Sequence, residues 1–215
     1  GLDFAAITAP DAPRRAALPT YPFERQRFWL RHKAATPRSA VHPLLGAPLP
    51  TLLLQSQQRL FEGALAERST TWLADHRVYD RALLPAAGLV ECALAAGAQA
   101  FGTTALELRD VAIQAPLWLD PQPTTTQLLL DGDADGGRFK LCRRDGESWP
   151  VHAIGNVAPL PADPQPVQDF AAASAALAVD QLYADYVAAG LEYGPAFRAV
   201  VAAQTGDGIA SGSIE

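Results

Sequence analysis

The chain has 215 residues, of which 49% are hydrophobic and 19% charged, and its net charge at neutral pH is -6. That balance describes one large globular domain, or one and a half smaller ones, and excludes a disordered chain. An acidic chain without basic blocks argues against nucleic acid and anionic membrane surfaces as partners. No apolar run is long enough to span a bilayer, and the first residues lack the charged and apolar regions of a signal peptide.

Cys92 and Cys142 have no CxxC spacing, which suits free thiols in a cytoplasmic protein better than a disulfide scaffold. No His/Cys cluster has metal-ligand spacing, and no glycine-rich stretch offers a phosphate cradle. The chain contains no Met and starts at Gly1, which reads as a piece of a longer polypeptide.

In chain order, residues 1–40 are rich in Pro, Ala and Arg. Their aromatics gather in "LPTYPFERQRFWL", where Pro19 and Pro22 disfavour a helix, so an ordered, extended upstream linker is expected. "HPLLGAPLP", from His42, is turn-rich, and "TLLLQSQQRLFEGAL" suits strands, with Gly63 at a bulge or turn. Next comes "TTWLADHRVYDRALLPAAGLVECAL", residues 70–94. His76 follows the apolar pair Trp72-Leu73 there, and two roles suit it: a core histidine, or a base at the mouth of a pocket. Pro85 suits the first turn of a helix. The stretch after it, "AAGLVECALAAGAQAFG", has helical spacing and is small and apolar nearly all round, which predicts a buried helix of about fifteen residues.

Strands follow. "ALELRDVAIQAPLWL" alternates, with Asp110 and Asp120 as turn and strand-end residues. "TTTQLLLDGDADGGRFKLCRR" reads as a hairpin around an acidic turn that lacks the rest of a calcium loop. "ESWPVHAIGNVAPL" is a strand carrying His152, expected to bond to backbone in the sheet. Residues 161–178 are Pro/Ala-rich and read as an interdomain linker. The helix "VDQLYADYVAAGL" has Asp180 and Gly190 as its caps. "EYGPAF" breaks it, and "GDGIASGSIE" returns to strands. The expected class is α+β. Antiparallel strands wrapped around one long apolar helix make a hotdog fold over 41–160, and 179–215 begin a second, as part of a double hotdog.

Several stretches resemble, in order, the dehydratase domain of modular polyketide synthases: "LPTYPFERQRFWL", "HPLLGAPL", "WLADHRVYDRALLPAAGLVE", "LRDVAIQAPLWL", "VHAIGNV" and "LYADYVAAGLEYGPAFR". Together they cover essentially the whole chain. The third resembles the catalytic segment HxxxGxxxxP, which makes His76 the catalytic base and Pro85 its paired proline. Tyr193, Gly194 and Pro195 take the family's YGP motif beside the substrate pocket, with Tyr193 a packing and hydrogen-bonding residue. Two positions depart from the pattern. Ala86 stands where relatives carry a further small residue such as Gly. Asp80 stands at the motif glycine, and Asp tolerates the positive φ that such a glycine marks. Its carboxylate is expected near the site, where it would raise the pKa of His76 or crowd an acyl chain. The family's catalytic acid, an aspartate on the helix of the second hotdog, is expected beyond residue 215.

The resemblance implies loss of water from a 3-hydroxyacyl thioester. His76 removes the C2 proton, and backbone N–H groups at Ala86 to Gly88 polarise the thioester carbonyl. No metal or organic cofactor is required, because the substrate arrives on the phosphopantetheine arm of an acyl carrier protein. The implied partners are that carrier protein, the neighbouring synthase domains, and a second copy in a homodimer through the first hotdog. Asp80 keeps two alternatives open: diversion to double-bond isomerisation or oxa-cyclisation, and a catalytically silent domain that binds carrier protein or holds the assembly together.

Overall fold

The structure, a computed structural model, describes residues 40–50, 54–55, 57–161, 175–206 and 208–215. The aromatic linker expected over 1–40 lies outside the described residues but for Ala40, as do residues 162–174 of the Pro/Ala-rich segment. The chain divides into two units, Gly1–Thr36 and Pro37–Glu215, and the fold below is that of the second.

A six-stranded antiparallel sheet is built from β1 (Ala47–Pro48), β2 (Gln58–Leu65), β5 (Leu106–Ile113), β6 (Thr124–Asp133), β7 (Gly136–Arg143) and β8 (Val151–Pro159), in the order β1-β2-β6-β7-β8-β5. Its strands alternate inward and outward as a half-buried sheet must. Thr126, Leu128 and Leu130 of β6 and Phe139 and Leu141 of β7 point into the core. The hairpin joining β6 to β7 is tighter than the sequence suggests. Asp133 pairs with Gly136, so only Ala134 and Asp135 form the turn and most of the acidic stretch is strand. Among the described residues no three His, Cys, Asp or Glu side chains gather as metal ligands would.

Helix α1 (Ala86–Phe101) lies against β5, β6, β7 and β8. Gly88, Leu89, Cys92, Ala93, Ala96 and Gly97 form its buried stripe. Small residues let the helix approach closely: a methyl group added at Gly97 would lie 2.7 Å from Val157 Cγ2. The helix is not buried all round, since Ala86, Ala87, Glu91 and Gln99 are exposed. Pro85 is the residue just outside the helix, with ψ 154°, rather than part of its first turn. Gly102, at φ +69°, ends it in the left-handed conformation. A sheet wrapped around one central helix is the expected hotdog arrangement. No helix among the described residues is long and apolar enough to cross a membrane.

Two β-bulges adjust the sheet. Leu141 pairs with Ala153 and Cys142 with Val151, which leaves His152 as the extra residue. The bulge explains why His152 and Ala153, adjacent in sequence, are both buried. His152 Nδ1 lies 3.2 Å from the Ala115 carbonyl, so it bonds to backbone as expected, in the segment that crosses from β5 to β6. The second bulge, between Arg109 and Ala112, holds Asp110 at φ +52°. Asp110 is therefore a mid-strand bulge residue rather than part of a turn; its carboxylate accepts a bond from Asn156 at 3.2 Å.

Beyond the Pro/Ala-rich segment, β9 (Ala175–Leu177), β11 (Val200–Gly206) and β12 (Ile209–Ile214) form a sheet in the order β12-β11-β9. The linker expected over 161–178 thus ends early, because Ala175 to Leu177 pair with β11. Helix α2 (Val179–Ala188) follows β9. Its N-cap is Ala178, without a side-chain bond. Asp180 is not the cap but sits in the first turn, where a carboxylate complements the positive end of the helix dipole. Gly190, at φ +82°, closes the other end, its N–H bonded to the Val187 carbonyl.

Candidate functional site

A third, small sheet brings the two predicted site segments together. It consists of β3 (His76–Val78), β4 (Arg81–Ala82) and β10 (Leu191–Tyr193), in the order β10-β3-β4. His76 pairs directly with Tyr193.

His76 is doubly tied to Leu83. Its carbonyl accepts the Leu83 N–H at 3.0 Å, and its ring Nδ1 lies 2.9 Å from the Leu83 carbonyl. A carbonyl can only accept, so Nδ1 carries the proton and Nε2 keeps its lone pair. The Tyr193 ring stacks on the imidazole at 5.3 Å with the planes 26° apart, and the Phe197 ring packs at 5.0 Å and 57°. Trp72 extends this wall, 6.1 Å from Phe197. The half-buried imidazole is pushed below its usual pKa near 6.5 by desolvation, against the Leu83 bond, which favours the charged form. His76 is consequently neutral at pH 7, with a basic nitrogen available.

Asp80 does not join this group. Tyr79 and Asp80 form a two-residue loop between Val78 and Arg81, at φ +47° and +58°. Positive φ at both positions is the signature of the type I′ hairpin turn, so the conformation that a glycine would supply is kept. The Asp80 side chain is 89% exposed and lies 3.4 Å from Arg77 Nε, while Arg77 also bonds Glu67 at 2.6 Å. The Asp80 N–H donates to Glu192 at 3.2 Å. Alternation along β3 places Arg77 and its acidic partners on the opposite side of the strand from the His76 ring. The expectation that Asp80 raises the His76 pKa or crowds a substrate is therefore not met: the pKa is lowered, by burial.

This predicts a near-silent Asp80→Gly. Relief of left-handed strain, about 1 kcal/mol, is offset by the freedom glycine gains in the unfolded chain, about 0.5–1 kcal/mol. Asp80→Val, which meets the strain with a branched side chain, is expected to lose about 1–2 kcal/mol. Urea denaturation of both variants checks the contrast.

Pro85 and Ala86 stand where β4 leads into α1. Leu84 N–H bonds the Leu117 carbonyl at 2.9 Å and anchors the helix start. The Gly88 N–H is committed to the Pro85 carbonyl at 2.8 Å, so the donor set expected at Ala86 to Gly88 contracts. Ala86 and Ala87 are exposed, and their N–H groups bond to no acceptor among the described residues. Unpartnered N–H groups at a helix N-terminus carry the positive end of the helix dipole.

Gly194 and Pro195 begin a short 3₁₀ turn, Pro195–Phe197. Gly194 N–H bonds the Asp75 carbonyl at 2.8 Å, and Ala196 N–H bonds Asp75 Oδ2 at 3.0 Å. The sequence reading missed Asp75 and Phe197. Phe197 was legible in part, as the last aromatic of "YGPAF", but no local pattern points from Asp75 to a partner 121 residues away.

The family described as polyketide synthase dehydratase domain matches residues 42–144. Polyketide synthase GfsB of Streptomyces halstedii is 36% identical over 226 residues, covering 96% of this chain and 4% of that protein. The spectinabilin polyketide synthase system protein NorB of Streptomyces orinoci is 36% identical over 212 residues, covering 92% of this chain and 10% of its own length. Among solved structures, the dehydratase domain from the CurF module of curacin polyketide synthase superposes with a TM-score of 0.73 at 25% identity, over 80% of this chain and 65% of that one. The dehydratase domain of PpsC from Mycobacterium tuberculosis, also solved in complex with C12:1-CoA, gives 0.70 at 28% identity, over 81% of this chain and 63% of that one. The chain therefore spans a small fraction of the synthases it matches and under two thirds of each solved domain.

Proposed function

The chain belongs to the dehydratase domains of polyketide synthases, and on that footing we propose that it takes part in removing water from a 3-hydroxyacyl thioester carried by an acyl carrier protein. The observation that supports this most is the state of His76: Nδ1–H held by the Leu83 carbonyl, Nε2 free, and the ring kept neutral by burial. Nε2 removes a proton from C2 of the substrate. The Ala86 and Ala87 N–H groups, three residues and four residues along from Leu83, take the charge that gathers on the thioester oxygen. As the C2–H bond breaks, the electron pair forms the new double bond and the C3–oxygen bond breaks. The departing hydroxyl takes its proton from an acid outside this chain, which the family resemblance assigns to an aspartate beyond residue 215. The complex of the PpsC domain with C12:1-CoA fits the same substrate class, an acyl thioester.

The partners are the neighbouring synthase domains and a phosphopantetheine-bearing carrier protein, with a second copy through the first hotdog. No cofactor enters the scheme. Asp80 no longer favours isomerisation, cyclisation or a silent domain, since the hairpin keeps the motif's backbone and the carboxylate faces away from His76.

The test uses the intact dehydratase domain and a 3-hydroxyacyl group loaded on the cognate carrier protein. A product lighter by one water, read by mass spectrometry, is expected. Unchanged mass with altered chromatographic retention would instead establish isomerisation or cyclisation, and no change at all a silent domain. The pH profile adds a second check. A base with a depressed pKa must be neutral to act, so the acid limb of kcat/KM is expected to have its midpoint below 6.5. A midpoint above 6.5 would mean that a negative charge acts on His76 after all.

A further inference from the structure

We propose that Asp75 is a positioning residue for this site: its carboxylate and carbonyl hold the turn from Gly194 to Phe197 so that Tyr193 and Phe197 wall the His76 imidazole. The inference rests on the dehydratase reading for its effect on turnover, but not for its effect on the imidazole itself.

Asp75 grips the turn at two points. Its carbonyl accepts the Gly194 N–H at 2.8 Å and its Oδ2 accepts the Ala196 N–H at 3.0 Å. A carboxylate receiving a backbone N–H at the start of a helical turn does the work of a capping residue, although here it comes from a distant segment. The fit is close. A methyl group added at Gly194 would lie 2.5 Å from Asp75 Cγ and 2.6 Å from Oδ1. Gly194 has φ -75°, which any residue can adopt, so space for the carboxylate is what calls for glycine. The clamped turn carries Phe197 to 5.0 Å from His76 and 5.9 Å from Tyr193. Arg198 Nε then bonds the Tyr193 carbonyl at 3.0 Å and closes the turn on itself.

The charge of Asp75 is not what acts. Burial and backbone bonds account for the shift in the His76 pKa, with no contribution from a neighbouring carboxylate. The other charged groups on the elements around His76 are engaged elsewhere: Arg77 with Glu67 and Asp80, Arg81 over the Trp118 ring, Glu192 on the Asp80 N–H, and Arg198 on the Tyr193 carbonyl. Tyr193 is the titratable ring that faces the imidazole. Asp75 thus acts through the two aromatic rings that keep water from His76.

The experiment pairs titration of the His76 ring by nitrogen NMR in the full chain with kcat on the carrier-bound substrate. Asp75→Ala is expected to move the His76 titration up toward 6.5 and to lower kcat about 10- to 100-fold, the scale of a misplaced catalytic wall. Asp75→Asn keeps an oxygen for the Ala196 N–H and should restore both to near the parent values. Gly194→Ala should reproduce Asp75→Ala by displacing the Asp75 side chain, whose Cγ and Cβ would lie 2.5 and 2.8 Å from the added methyl group. Should Asp75→Ala not fold, Gly194→Ala carries the same test. The proposal is overturned if the His76 titration stays at the parent position in Asp75→Ala and Gly194→Ala, or if Asp75→Asn is as impaired as Asp75→Ala. The NMR readout stands even if the protein removes no water, so failure of the dehydratase reading is distinguishable from failure of the clamp.

Discussion

His76→Ala is expected to lower the rate of water loss from the carrier-bound 3-hydroxyacyl group about 10³-fold, the middle of the range for a positioned general base. Among the described residues, His76 is the imidazole that packs against the Tyr193 and Phe197 rings, with its tautomer set by Leu83. On the proposed reading, removing it leaves no base to take the C2 proton. The loss should fall on kcat more than on KM, because the proton moves only in the transition state. The fold should survive, since the pairing of His76 with Tyr193 is made by backbone, and an unchanged far-ultraviolet dichroism spectrum checks that. The space vacated beside the two aromatic rings also predicts partial rescue by added imidazole. Retention of more than a tenth of the parental rate would remove His76 from the role of base.

The largest stability effect is expected in the sheet. Phe139 is 1% exposed and is paired across the strands with Gly155. A methyl group at Gly155 would lie 2.7 Å from the Phe139 ring, so the ring already covers the surface that glycine leaves open. Phe139→Ala removes the ring and leaves no neighbour on that side able to fill the space. The expected cost is about 3–5 kcal/mol, a large share of the ~5–15 kcal/mol that holds a typical domain together. Urea denaturation should show the midpoint falling sharply with the slope little changed. A loss under 1 kcal/mol would mean that the core collapses around the deletion.

Much of this architecture is legible along the chain, because the signals that specify it are local. Helical spacing of small apolar residues after Pro85 marks α1, and alternation in "TTTQLLLDGD" and "GGRFKLC" marks β6 and β7. His76 stands out once its motif is compared with a family, and aspartate at position 80 suits the positive φ found there. What is not legible depends on pairing. Asp180 looks like a cap, but the helix starts at Val179, and its cap is Ala178. Ala175 to Leu177 look like linker because alanine carries little strand preference; they become a strand only when β11 lies beside them. The burial of His152 follows from a bulge, which no composition reveals. Asp75 is the clearest case, since its role exists only in contact with residues far along the chain.

That separation also sets a schedule. The bond from Ala196 to Asp75 spans 121 residues, and at ~5–20 residues per second a ribosome needs on the order of ten seconds to cover the gap. During that interval α1 and its sheet can form, because their contacts are complete by Pro159. His76 meanwhile stays open to water, with an ordinary affinity for protons. The nascent chain thus carries its main sheet and helix before it carries the aromatic wall around His76, which is complete only when the distant turn docks.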